Sequence, residues 1–159
     1  MKLPMTEAKQ GRPQAIAMHT AAWALLGKAE RSEAETARMI GAAHGSLHAW
    51  EAAGGPVEVQ RGNWLVARVY VAAGLAEPAL EFARRTMELT RAHQAELTDF
   101  DLAFAKEIAA RAWALAGNPD RAKEHREGAR KLGEAIKDEA DRAEFFRQFD
   151  GPPWVGLEG

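Results

Sequence analysis

Two histidines and a glutamate about one third of the way along the chain have the spacing of metal ligands on a helix. His44, His48 and Glu51 stand at positions i, i+4 and i+7, so a helix would place them on one face. Imidazole and carboxylate groups bind divalent ions such as zinc, but a complete site needs a further ligand from another helix. The other histidines are His19, His93 and His125. The plainer interpretation is that His44 and His48 hydrogen-bond to neighbouring helices, and we predict no cofactor.

The sequence carries no pattern for nucleophilic catalysis. It has no cysteine, no Gly-x-Ser-x-Gly elbow, no phosphate-binding loop and no dinucleotide fingerprint. Ser46 lies between the two histidines, but two turns of one helix cannot assemble a catalytic triad. We therefore expect a protein that is not an enzyme.

The composition indicates a single domain, residues 1–159, with a flexible N-terminus over residues 1–12 and a tail over residues 150–159. The net charge is −2 with 28% charged residues, which argues against a nucleic-acid partner because phosphate binding needs an excess of cations. We expect no signal peptide and no membrane span, since no apolar run approaches about 20 residues. The lack of cysteine is compatible with the cytoplasm, where we expect the protein.

Strong helix formers dominate, and glycine, proline and capping residues divide the chain into seven helical segments. Pro13 is expected in the first turn of the first helix, and Ser32 with Glu35 has the spacing of a capping box. The segments are expected at about 13–29, after Ser32 to Gly54, from Pro56 to Gly74, 77–95, from Thr98 to Gly117, after Asn118 to about 137, and 139–149.

An aromatic residue four positions before a glycine occurs three times. The pairs are Trp23 with Gly27, Tyr70 with Gly74, and Trp113 with Gly117. The glycines are 47 and 43 residues apart, and each copy is followed by a helix with small residues one turn apart. Small residues let a helix approach its antiparallel partner, while the aromatic ring fills the space between successive pairs. The spacing therefore predicts a stack of helix pairs.

This pattern resembles the tetratricopeptide repeat, in which a small residue, an aromatic, a turn glycine and then alanines follow at similar offsets. The matching residues are Ala67, Tyr70, Gly74, Ala79 and Ala83, and then Ala110, Trp113, Gly117, Ala122 and Ala129. The stretches 76–80 and 99–105 also resemble uncharacterised bacterial members of the superfamily. The period here is longer than the usual 34 residues, and the proline that closes each repeat is absent.

The resemblance implies an all-α fold of three antiparallel helix pairs in a superhelical stack, with the segment 139–149 capping its end. It also implies a concave groove that binds a protein or peptide. The groove positions would be Trp64, Arg68, Val71, Glu107, Arg111 and Ala114. Arg68 and Arg111 each stand two residues before the aromatic of their repeat, so they could form a basic ladder for a partner's carboxylate or phosphate.

Other interpretations of these residues remain open. The family's known clamp for a terminal carboxylate uses asparagines, and Leu65 and Ile108 stand at those offsets, so we do not expect that clamp. The two arginines could instead be solvated or form intrachain ion pairs with Glu81, Asp101 or Glu107.

Three hypotheses for function follow. The first is a non-enzymatic scaffold that binds a protein or peptide, and it requires Trp64, Arg68 and Arg111 to be at least partly exposed. The second is a metal-binding enzyme or sensor. The third is a self-assembling homodimer, since the ends of a helical stack must be capped or paired. The tail 150–154 either docks on its own domain or joins a neighbouring subunit.

Overall fold

A computed structural model describes the backbone of residues 5–157 and the side chains of residues 11–157. Within that range the chain forms seven α-helices, one short 3₁₀ turn and no strand. The helices are α1 (Met5–Leu26), α2 (Glu33–Ala53), α3 (Pro56–Ala73), α4 (Ala76–Ala92), α5 (Asp99–Leu115), α6 (Pro119–Glu134) and α7 (Glu139–Phe149). No helix of this range combines the length and the apolar character that crossing a membrane requires.

Most helix ends lie where local signals predicted them. Ser32 and Glu35 form the expected capping box: the Ser32 hydroxyl accepts from the Glu35 amide at 3.1 Å, and the Ser32 amide donates to the Glu35 carboxylate at 3.0 Å. Thr98 starts α5 with the equivalent box. Gly74 and Gly117 follow α3 and α5 with φ of 75° and 82°, a left-handed conformation that favours glycine.

The helices pack as three pairs, α1 with α2, α3 with α4, and α5 with α6, and α7 completes the stack. Each pair also contacts the next through α2 with α3 and α4 with α5. The first helices of the pairs also contact one another, α1 with α3 and α3 with α5, and α7 contacts both α5 and α6. The predicted all-α class with seven helices in paired packing is confirmed. We refer to the row α1, α3, α5 and α7 as the inner helices.

Alanines make the close approach between paired helices possible. Ala67 of α3 is fully buried with Ala79 and Ala83 of α4. Ala110 of α5 is fully buried, as is Ala129 of α6. Larger side chains at these positions would push the helices apart, because interiors at crystal-like density have no room for them.

One sequence expectation about the first repeat is wrong, and its aromatic residue packs against a different neighbour from the other two. Helix α1 begins at Met5, so Pro13 lies inside it rather than in its first turn. Tyr70 and Trp113 each lie near the second helix of the preceding pair, whereas Trp23 turns to the inner side and stacks on Trp64. The physical reason is that the first pair has no preceding pair for its aromatic ring to pack against.

Candidate functional site

A cavity of about 440 Å³ opens on the side of the fold formed by the inner helices. Among the side chains that the structure describes, those lining it come from all four inner helices and from no other element. We call it the aromatic pocket, lined by His19, Trp23, Gln60, Arg61, Trp64, Phe100, Asp101, Phe104, Glu144 and Gln148. Ligand pockets are concave, mostly apolar and about 300–1,000 Å³ in volume, and this cavity has those properties.

Stacked rings form the wall of the aromatic pocket. Trp23 and Trp64 stack with their centroids 5.8 Å apart and their planes inclined by 30°. Phe104 meets Trp64 edge to face at 5.5 Å. The indole N–H of Trp64 donates to the Phe104 carbonyl at 3.2 Å, which fixes the ring between α3 and α5. The apolar wall is therefore held in place before any ligand arrives.

A paired arginine and aspartate form one polar edge of the pocket. Arg61 donates from Nε and Nη2 to the two carboxylate oxygens of Asp101, at 2.9 Å each. Burial on its own would raise the pKa of Asp101, but the hydrogen bonds from Arg61 and Thr98 outweigh it and lower that pKa. Asp101 is therefore ionised at neutral pH, and its charge is balanced by Arg61.

Three further lining residues, His19, Glu144 and Gln148, carry groups that can donate or accept hydrogen bonds. Desolvation lowers the pKa of His19, so its imidazole is neutral at pH 7. Hydrogen bonds from Arg147 and Gln148 lower the pKa of Glu144 to about 2. The side-chain oxygen of Gln148 is buried and accepts no hydrogen bond from the described residues. A ligand with a donor group could satisfy this oxygen.

A second cavity of about 390 Å³ lies where the turn after α1 meets α3 and the tail. We call it the cationic pocket. Its lining residues are Leu26, Lys28, Ala29, Arg31, Arg68, Val71, Ala72, Pro152 and Pro153. Three of these side chains are cationic and none is acidic. The two pockets are separated by one helical turn of α3, because Trp64 lines the first and Arg68 the second.

Some of the predicted groove residues line the two pockets, and others are buried inside the fold. Trp64 and Arg68 are partly exposed, as the binding hypothesis requires, whereas Val71 lies at the cationic pocket with 4% exposure. Glu107 and Arg111 are 0% and 1% exposed, so the expectation that Arg111 would be accessible to a partner is wrong. Arg111 Nε instead donates to Glu107 at 2.9 Å, which is the intrachain pair considered from the sequence.

The C-terminal tail explains the burial of Arg111. The guanidinium donates to the carbonyls of Gln148, Phe149, Gly151 and Pro153, at distances from 2.7 to 3.3 Å. Burial lowers the pKa of Arg111, while the charge of Glu107 opposes that shift. The tail therefore docks on its own domain, one of the two arrangements considered from the sequence. The basic ladder of Arg68 and Arg111 does not exist, since only Arg68 remains near solvent.

The metal candidates do not converge in the structure. His44 Nε2 forms a hydrogen bond of 2.7 Å with the Tyr70 hydroxyl, and its ring meets Phe82 edge to face at 5.2 Å. His48 and Glu51 are exposed to solvent. Among the side chains that the structure describes, no three histidine, aspartate or glutamate residues are grouped so that they could hold a metal ion. The interpretation of the two histidines as hydrogen-bonded and interfacial is confirmed for His44 and not for His48, which is exposed.

Sequence reasoning missed several residues of the aromatic pocket. The sequence predicts Trp23 between successive pairs, where it stacks on Trp64 of α3, but it does not indicate that Trp23, Arg61, Phe100 and Gln148 line a pocket. Arg61 and Trp64 are one turn apart on α3, as are Phe100 and Phe104 on α5, so a helical projection of the inner helices could have placed them on one side. Comparison with protein-family models, with curated proteins and with solved structures gave no significant match.

Proposed function

We propose that this chain is a non-enzymatic binding module whose aromatic pocket holds an apolar side chain of a protein or peptide partner. The observation that carries the proposal is the convergence of all four inner helices on one open, ring-lined cavity of about 440 Å³. A cavity of this size has room for one large side chain with its flanking backbone. We also propose a cytoplasmic location, which the lack of cysteine supports.

Two further features favour a peptide as the ligand. The pocket combines apolar rings with His19 and Gln148, which can form hydrogen bonds with backbone amides or carbonyls. Its Arg61 and Asp101 neutralise each other, and Glu144 is paired with Arg147, so each charge in the lining has a partner and a neutral anchor residue fits. The resemblance to tetratricopeptide repeats, whose first helices line a peptide groove, points to the same side of the fold.

Selection of peptides from a displayed random library, followed by titration with a selected peptide, tests this proposal. Trp23 and Trp64 line the pocket, so binding is expected to change tryptophan emission. His19→Glu places a carboxylate beside the rings, and we expect at least about a tenfold loss of affinity because a buried unpaired charge is costly. Gln14→Glu is the matched control, since Gln14 is exposed on the same helix outside the pocket.

The proposal fails if no peptide binds, or if His19→Glu binds the selected peptide as tightly as the original protein does. Both variants must first be shown by circular dichroism to be folded. The homodimeric alternative remains a prediction, and light scattering over a range of concentrations tests it.

A further inference from the structure

We propose that the cationic pocket binds an oxyanion, a carboxylate or phosphate group, carried by the same ligand whose apolar part occupies the aromatic pocket. This inference rests on the proposed binding function and specifies the chemistry of the ligand. Three cations from two parts of the chain meet in this cavity: Lys28 and Arg31 follow α1, and Arg68 belongs to α3. No carboxylate is among the lining residues.

Arg68 is the central element, because it lines the cavity with a partly exposed side chain and shares its acidic partner, Glu107, with Arg111. Its side chain is 16% exposed, and its Nη1 atom is buried and donates no hydrogen bond within the described residues. The nearest acid atom, Glu107 Oε1, is 3.8 Å away and already accepts from Arg111. Because Nη1 lies beside Glu107, the exposed remainder of the guanidinium is the part that suits a carboxylate or phosphate, whose oxygens accept its N–H groups.

Arg31 is held in position by the end of α1. Its Nη1 donates to the carbonyls of Leu25 at 3.1 Å and Lys28 at 2.9 Å. These bonds involve one terminal nitrogen, so the rest of the guanidinium keeps donors for a ligand. Fixing the side chain in advance reduces the entropy that a ligand must overcome.

Lys28 supplies the exposed rim of the cationic pocket. It pairs with Glu35 of α2, and the hydrogen bond from Lys28 lowers the pKa of Glu35 to about 2. The Lys28 side chain remains 48% exposed, so it can also contact an incoming anion. Surface ion pairs of this kind are weak, and exchanging one acidic partner for another costs little.

The tail provides the remaining wall. Pro152 and Pro153 line the cavity, and Arg111 Nη1 holds this segment by donating to the carbonyls of Gly151 at 3.1 Å and Pro153 at 2.9 Å. The two prolines offer no N–H group to an anion, so its oxygens would be held by the cationic side chains. The cationic pocket therefore has a defined shape, unlike a set of solvated cations on an open surface.

The two pockets together define a ligand class. Trp64 and Arg68 are one turn apart on α3, about 6 Å along the helix axis. A peptide that presents an apolar side chain next to a carboxylate or a phosphorylated residue would place one group in each pocket. The charge of the oxyanion would offset the cations of Lys28, Arg31 and Arg68.

Titration with inorganic phosphate, followed through the ¹H–¹⁵N signals of the arginine side chains, tests the cationic pocket without any peptide. We expect saturable shifts of the Arg68 signal. Lys28→Gln changes the exposed rim of the cationic pocket, and it is expected to lower the affinity for phosphate at least about fivefold. Arg68→Met is expected to abolish the saturable response. Because this variant lacks the Arg68 signal, its response is followed through the signal of Arg31. Lys123→Gln is the control, because Lys123 is an exposed cation on α6.

Phosphate shifts that do not saturate, or that are equal in Lys28→Gln, Arg68→Met and Lys123→Gln, would overturn the inference. Unfolding curves show whether each variant is folded. If Arg68→Met does not fold, Lys28→Gln alone still tests the inference. The affinities of three versions of a selected peptide then identify the source of the oxyanion. The versions carry a free C-terminal carboxylate, an amidated C-terminus or a phosphorylated residue.

The two proposals can fail separately. If His19→Glu abolishes peptide binding and Arg68→Met leaves it unchanged, the binding function stands and the oxyanion inference is wrong. If phosphate binds through Arg68 and no peptide is selected, the cationic pocket stands and the peptide function is wrong.

Discussion

The guanidinium carbon of Arg111 lies 4.2 Å from the centroid of the Trp154 ring. This contact joins the last part of α5 to the C-terminal tail, and Trp154 is 8% exposed. The Trp154 indole N–H also donates to the Phe149 carbonyl at 2.7 Å, and Arg126 lies 4.6 Å from the ring on another side. The tail is therefore an integral part of the stack, and it shapes the cationic pocket.

Trp154→Ala is expected to destabilise the protein by about 3–5 kcal/mol, because it removes a buried ring and exposes the arginine beneath it. Urea unfolding followed by circular dichroism measures this change. Val155→Ala is the control, since Val155 is 42% exposed and should change the free energy of unfolding by no more than about 0.5 kcal/mol. Equal effects of the two substitutions would show that the tail is not packed as described.

Arg111→Lys is expected to lower the free energy of unfolding by about 2–3 kcal/mol, although it conserves the charge. Arg111 donates to Glu107, to two carbonyls at the end of α7 and to two carbonyls of the tail, and the ammonium group of lysine cannot reproduce that fork of donors. Arg84→Lys is the matched control, because Arg84 forms exposed ion pairs with Glu81 and Glu88 on α4. The contribution assigned to Arg111 is wrong if the two variants unfold at the same urea concentration.

Stability is expected to fall as the pH drops below about 6.5, partly through His44. Desolvation, and then the charge of Arg85, lower the pKa of His44, so the folded state favours neutral imidazole. The stabilisation is present above the pKa of the unfolded chain and is lost as the pH falls toward the folded value. The groups facing His44 are Tyr70, Phe82 and Arg85, and none of them is an acid.

Unfolding free energies at about pH 7.5 and about pH 5.5 check this prediction. The difference between the two values is expected to shrink in His44→Gln. It is expected to persist in His48→Gln, since His48 is exposed on the same helix. An unchanged difference in His44→Gln would contradict the assignment.

Gly133→Ala and Gly41→Ala are expected to have opposite effects. A Cβ at Gly133 would overlap the ring of Phe145, where α6 meets α7, and we expect a loss of about 1–3 kcal/mol. A Cβ at Gly41 would meet nothing within 4 Å on an exposed face of α2, so alanine there should stabilise by about 0.5–1 kcal/mol. Thermal unfolding compares the two, and a stabilised Gly133→Ala would refute the packing of α7.

The sequence alone determined the number of helices and most of their ends. The bounds expected for the last helix, 139–149, coincide with α7, and the ends at Ser32 and Gly74 lie where predicted. These features are local: a capping hydroxyl, a left-handed glycine or a proline acts within one turn of the residue that carries it. Small residues at fixed offsets likewise predicted the pairing of the helices.

Only the tertiary structure decided which arginine faces solvent. Arg68 and Arg111 stand at the same offset before the aromatic of their repeat, yet one lines an open pocket and the other is buried. The difference comes from the tail, whose Pro153 carbonyl reaches Arg111 across 42 residues of sequence. Such long-range contacts leave no periodic signal near the arginine, because they depend on where the chain end comes to lie on the completed stack.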